Sequence, residues 1–175
     1  MIPDLNQHGN LPEGIHKPSI PEFKQKYVLN FKKSASRKDI FARYTHYCNK
    51  MIQYDVADLQ WLDGSYTTKK ENPGDIDFVT HVDAIKVNSL KNDSDFVSLL
   101  NHGEVKENYR CDTYFIFVYP KEDPRYSHTL AGKEYWIKWF GHDREMNPKG
   151  LIQFDLSSQD HQSKIMEEAY ASETS

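Results

Sequence analysis

Trp61-Leu62-Asp63-Gly64-Ser65 and, nine residues later, Asp75-Ile76-Asp77-Phe78-Val79 read as two strands joined by a loop. Side chains two apart on a strand point the same way, so Asp75 and Asp77 share one face while Ile76 and Phe78 pack behind them. Two hard oxygen donors so placed suit Mg²⁺. Gly64 lets the backbone approach a phosphate closely, and Ser65 puts a hydroxyl beside it. Each half alone is ordinary, because Gly-Ser is a common turn pair and Asp-x-Asp marks many solvated strand ends. Composition alone brings the two halves together in roughly one chain of this length in fifty.

A third carboxylate narrows the reading. Asp112 directly precedes Thr113-Tyr114-Phe115-Ile116-Phe117-Val118-Tyr119, a nearly continuous apolar run of the kind that forms a buried central strand. The ordinary alternative is a turn residue at a strand edge.

The chain has 175 residues, 38% hydrophobic and 13% aromatic, enough for one domain with a sizeable core. Its net charge of −4 argues against a general nucleic-acid coat, which carries a basic excess. Cys48 and Cys111 stand far apart with no Cys-x-x-Cys, so neither a disulfide framework nor a zinc ribbon is indicated. The eight histidines show no metal-type pairing. No early apolar run reads as a signal peptide and no window reads as a membrane span, so the expectation is a cytoplasmic protein without membrane attachment.

Residues 1–20, rich in Pro, Gly, Asn and His, predict an irregular arm packed across the surface. Residues 21–157 predict the domain, and 158–175 a polar tail that frays. Pro21 suits the first turn of a helix through Val28. A stronger helix starts at Ser36, with its hydroxyl as cap and Asp39 three residues on. Ile40, Tyr44, Cys48, Met51 and Ile52 form its buried stripe. Strands follow at Leu59–Leu62, Asp75–Val82 and after Asp112, with a helix near Asp93–Leu100. A helix over Thr129–Phe140 and a strand at Leu151–Leu156 close the domain. Strands alternating with helices predict an α+β mixed sheet under helical cover.

The pattern of a hydrophobic residue, Gly-Ser, a gap of about ten, Asp-hydrophobic-Asp-hydrophobic and a later strand Asp, carried by Leu59 to Asp112, resembles the DNA polymerase beta-like nucleotidyltransferase superfamily. Within it the chain is similar to a group of small prokaryotic proteins through Leu11-Pro12-Glu13-Gly14-Ile15-His16, Trp136 to Gly141, and Lys149-Gly150. Asp63 departs from the pattern, standing where the superfamily usually has an apolar residue. The resemblance implies a nucleotidyltransferase-like sheet flanked by helices, with Asp75 and Asp77 binding Mg²⁺ (or Mn²⁺), Asp112 completing the triad, and Gly64-Ser65 gripping the nucleotide. It implies transfer of a nucleoside monophosphate from an NTP such as ATP to an RNA or protein acceptor. By analogy, relatives of this size act in toxin–antitoxin or phage-defence settings.

Two rivals stay open, modification of a small molecule and a catalytically silent module that binds a partner protein; a homodimer or partner is expected to supply the acceptor surface for which the chain has little extra mass. Lys69 and Lys70 are the nearest cations for a triphosphate, and Arg110 is placed to share the face of Asp112; for all three the alternative is a solvated charge. His16 is expected to anchor the arm by a hydrogen bond. Lys32-Lys33 with Arg37-Lys38 reads as a solvated helix start or a contact to an RNA backbone. Tyr126, Tyr135, Trp136 and Trp139 suit base stacking, although Tyr135, Trp136 and Trp139 at helical spacing more often fill a core.

Overall fold

The two strands that frame the Gly-Ser loop are present, as Ala57–Asp63 and Ile76–Asp83, and they pair antiparallel at the centre of a sheet. In chain order the strands of the computed structural model, which describes residues 1–173, are β1 (Gly14–His16), β2 (Ala57–Asp63), β3 (Ile76–Asp83), β4 (Cys111–Val118) and β5 (Gly150–Asp155). They lie in the order β1-β5-β2-β3-β4, with β1–β5 and β3–β4 parallel and the other pairs antiparallel. The result is an α+β fold, a mixed sheet flanked by helices.

Alternation assigns the two faces. Leu62, Ile76, Phe78, Val82 and Phe154 are buried on one face against α1 (Ile20–Lys24) and α2 (Arg37–Gln53), through Phe23, Ile40, Tyr44, Cys48 and Met51. Gln60, fully buried there, accepts from Tyr44 Oη at 2.7 Å and donates to Thr80 Oγ1 at 3.0 Å, so its amide is satisfied without water. Trp61, Val79, Ile116 and Leu151 face the other way and are covered by Phe140 and Trp136. Their cover is α6 (Tyr126–Phe140), the last helix before β5.

Several expectations are corrected. Helix α2 does begin after Ser36, but the Ser36 hydroxyl makes no cap bond. Ser34 Oγ accepts from the Ser36 and Arg37 amides instead, while Asp39 is drawn to Arg43 and Arg110. The arm is not irregular throughout, since β1 pairs with Gly150–Ile152. His16 Nε2 bonds the Pro12 carbonyl at 2.8 Å and so does anchor the arm. Gly150 is required there, because a Cβ would overlap the Pro12 carbonyl and stand 2.7 Å from His16 Nε2.

Between β3 and β4 run α3 (Ala84–Ser89), α4 (Ser94–Leu100) and α5 (His102–Tyr109), of which only α4 is foreshadowed in the sequence. The expected fraying tail is instead a helix, α7 (Gln159–Glu173), packed on α2. Ile165 and Ala169 are buried beneath it, a contribution of roughly 2 kcal/mol for the isoleucine alone. Thr174 and Ser175, the end of that expected tail, lie outside the described residues.

Candidate active site

Parallel β3 and β4 begin at the same end of the sheet, and antiparallel β2 ends there. The register places Asp63 opposite Asp77 and Asp77 opposite Asp112. Three carboxylates therefore stand in a row across three strands, on the face that α6 covers further along. Asp75 lies two residues before Asp77, at the mouth of β3.

The loop after β2 crosses this row. Gly64 has φ of +74°, and a Cβ there would overlap the Asp77 carboxyl oxygen. Only glycine meets both the backbone conformation and the close approach. A single 3₁₀ turn, Ser65–Thr67, follows, closed by Thr68 Oγ1 donating to the Ser65 carbonyl at 2.8 Å.

Arg37 holds the far side of this loop. Its side chain is fully buried, and its guanidinium donates to the carbonyls of Tyr27 (2.9 Å), Tyr66 (2.7 Å), Thr68 (3.0 Å) and Lys70 (2.6 Å). Phe31 lies 3.7 Å beneath it. The basic run expected at the surface is thus broken: Arg37 is an internal brace for residues 66–70, and its planar fork suits several carbonyls at once.

Four carboxylates meet two lysines at this end. Lys149 Nζ lies 2.7 Å from Asp63, both side chains almost wholly buried at 10% and 8% exposure. Lys106 Nζ lies 2.6 Å from Asp112 Oδ2 and 3.3 Å from Asp75 Oδ2. One turn earlier on α5, His102 directs Nε2 to Asp112 Oδ1 at 3.4 Å while Nδ1 donates to the Thr113 carbonyl at 3.1 Å. Asp77 has no such partner among the described residues. Burial, then the charges of Asp75, Asp112 and Asp63, push its carboxyl up to about 7. Burial raises Asp63 as well, against the pull of Lys149. Burial and the nearby Asp112 push the Tyr114 phenol up to about 12.

Other anticipated residues sit apart from the row. Lys69 and Lys70 are exposed on the loop, without an ion pair to the carboxylates among the described residues; Lys69 packs over Gly9, and Lys70 contributes its carbonyl to Arg37. Arg110 turns away from Asp112, donating to the Gly74 carbonyl and to Asp39 Oδ2 at 2.9 Å. It fastens the approach to β3. Tyr135 and Trp139 do not fill the core: they are 57% and 66% exposed and stack on one another, ring centroids 6.3 Å apart. Only Trp136 packs inward, 4.6 Å from the ring of Tyr114, beside Asp112. A cavity of about 480 Å³ lined by Lys50, Asp95, Glu104 and Tyr109 includes none of the four carboxylates. Charge, not volume, marks the site.

Residues 3–155 match the family described as a family of unknown function, DUF6932. The chain belongs to the DUF6932 family. No curated protein and no solved structure gives a match. The matched segment of this DUF6932 chain holds the whole sheet and every residue of the carboxylate site, and it ends before α7.

For a divalent cation the DUF6932 chain offers hard oxygen donors from Asp75, Asp77 and Asp112, the donor type that Mg²⁺ prefers. Asp112 Oδ1 is buried and makes no hydrogen bond, although His102 Nε2 stands 3.4 Å from it. Among the described residues no three His, Cys, Asp or Glu side chains stand close enough to close around an ion as placed. The Lys106 ammonium stands between Asp75 and Asp112 instead. The donors fit a divalent cation in kind, with Lys106 already compensating part of their charge. Among the described residues no helix is long and apolar enough to cross a membrane.

Proposed function

We propose that this protein is an Mg²⁺-dependent nucleotidyltransferase that moves a nucleoside monophosphate from an NTP to a hydroxyl on an RNA or protein acceptor. The observation that carries the reading is the cross-strand row Asp63–Asp77–Asp112 with Gly64 seated against Asp77, a site with an excess of carboxylates beneath a loop that only glycine can form. In the reaction the acceptor oxygen bonds to the α-phosphorus, the bond to pyrophosphate breaks with its electron pair, and Asp112 accepts the hydroxyl proton. When bound, the divalent ion supplies positive charge to the phosphate oxygens. Asp75 and Asp77 hold that charge in place, Gly64 allows the loop to lie close to the phosphates, and Arg37 keeps the loop in shape. Positioning and charge are the main requirements of such a transfer.

The test is incubation with each NTP and Mg²⁺, reading pyrophosphate release and transfer of α-phosphate label to RNA or protein. Asp77→Asn is expected to lower release by about a hundredfold or more while the protein remains folded, as loss of a metal carboxylate implies. No release from folded wild type with any nucleotide and acceptor sinks the reading. The Lys106 ammonium within the row favours a second reading, a silent module that binds a partner protein. Nucleotide binding without turnover in the same assay supports that one.

A further inference from the structure

We propose that the exposed aromatic flank of α6, formed by Tyr135 and Trp139, holds the bases of a single-stranded RNA acceptor and leads its end toward Asp112. This rests on the transferase reading above and names its acceptor class, with part of the acceptor surface on this chain. Neither ring feeds the core. Thr129, Trp136 and Phe140 turn toward the sheet; at about 100° per residue, Tyr135 and Trp139 then stand on one flank of the helix and the exposed Leu130 and Ile137 on the opposite one.

The two flanks are not alike. Leu130 and Ile137 are aliphatic, whereas the aromatic flank is continuous with the carboxylate row. Asp112 and Tyr114 share a face of β4, the Tyr114 ring lies 4.6 Å from that of Trp136, and Trp136 meets Tyr135 edge to face at 5.2 Å. Tyr135 is in turn parallel to Trp139 within 5°. Rings thus run unbroken from the carboxylate that would take the acceptor's proton to the outer side of the helix. Parallel rings suit a single strand, because successive bases stacked on them keep a common plane and every base has a π-face. A strand also needs cations for its phosphates. Over Tyr126–Phe140 the helix carries Lys133 and Lys138 against one acid, Glu134, a local positive excess in a chain of net charge −4. Neither lysine makes an ion pair among the described residues, and Lys138 is exposed beside Trp139.

Fluorescence anisotropy of a labelled mixed-sequence RNA of about 12 nucleotides, titrated with the full chain at low salt without NTP or divalent ion, tests this. Wild type is expected to bind the single strand and to bind the same RNA more weakly as a duplex, whose paired bases cannot stack on protein rings. Trp139→Ala is expected to weaken binding about tenfold, the scale of one base–aromatic stack. Lys138→Gln should flatten the salt dependence, and Leu130→Ala, on the opposite flank, should change nothing. Should Trp139→Ala fail to fold, Tyr135→Ala carries the same expectation. Equal affinity for the duplex, unchanged binding by Trp139→Ala, or no binding by wild type overturns the inference. Self-association of wild type that Trp139→Ala abolishes, with no RNA bound, overturns it in favour of a second copy on this flank. Pyrophosphate release tells the two readings apart: RNA binding without release keeps this surface and sinks the transferase, while release with a protein acceptor and no RNA binding does the reverse.

Discussion

Two lysine–aspartate contacts lie at the same end of the sheet with nearly the same spacing, Lys149 to Asp63 at 2.7 Å and Lys106 to Asp112 at 2.6 Å. They differ in access to water. Both members of the first pair are buried, whereas Lys106 is 45% exposed. Distance therefore does not tell what a pair does; burial does. A buried pair whose partner is removed leaves a charge that water cannot reach, while in an open pair water takes the place of the lost partner.

The strongest way to break the comparison is Lys149→Met, which strands Asp63. A loss of about 3–5 kcal/mol is expected in urea denaturation, and Asp63→Asn in the same chain is expected to return much of it. Equal losses from Lys149→Met and Lys106→Met would show that the two pairs are alike after all.

A second buried group on the same face sharpens the contrast between dry and open. His81 is four residues from Asp77 on β3, 2% exposed, edge-on to Trp61 at 4.4 Å, with Nε2 bonded to nothing. Burial, helped by the charge of Lys133, pushes its imidazole down to about 4 from 6.5. A depressed base is stable as the neutral form, so its contribution is present above pH 6.5 and lost as pH falls toward 4. At about 1.4 kcal/mol per unit that amounts to about 3 kcal/mol. The stability difference between wild type and His81→Phe, followed from pH 7.5 to 4, should shift by this amount in favour of the variant. A flat difference would mean that water reaches His81.

The open end has its own geometric test. Gly64→Ala forces a Cβ into the Asp77 carboxyl and onto a positive φ, and is expected to cost about 2 kcal/mol in thermal denaturation and to weaken nucleotide binding. A variant that melts like wild type would show that the loop has slack over Asp77.

These contrasts also explain what the sequence discloses. Asp75, Asp77 and Asp112 are legible because each sits at a strand start, where alternation is local, and Gly64 is legible as the turn between strands. Asp63 is visible only as a departure from a pattern. Its meaning depends on Lys149, 86 residues away. Arg37 reads as a solvated charge because its acceptors are carbonyls at Tyr27, Tyr66, Thr68 and Lys70, which no periodicity reports. Helix α5 buries only Val105, so it carries no apolar stripe, and with it His102 and Lys106 are hidden. Helix α7 is polar for the same reason, its buried side being little more than Ile165 and Ala169. Periodicity finds elements that feed the core and misses those that present charge to a site.

The smallest expected effect is the most telling about the open pair. Lys106→Met without metal should change folding stability by no more than about 1 kcal/mol, as for other partly exposed pairs. Its consequence is conditional. Removing the ammonium leaves Asp75 and Asp112 facing each other, so millimolar Mg²⁺ should raise the melting temperature of Lys106→Met more than that of wild type, by linkage to an ion bound only in the folded state. Lys149→Met should show no such gain, because Mg²⁺ keeps its water shell and does not enter a buried pair. If Mg²⁺ stabilises all three proteins alike, the open pair is no more open to a cation than the buried one, and Lys106 belongs to the scaffold.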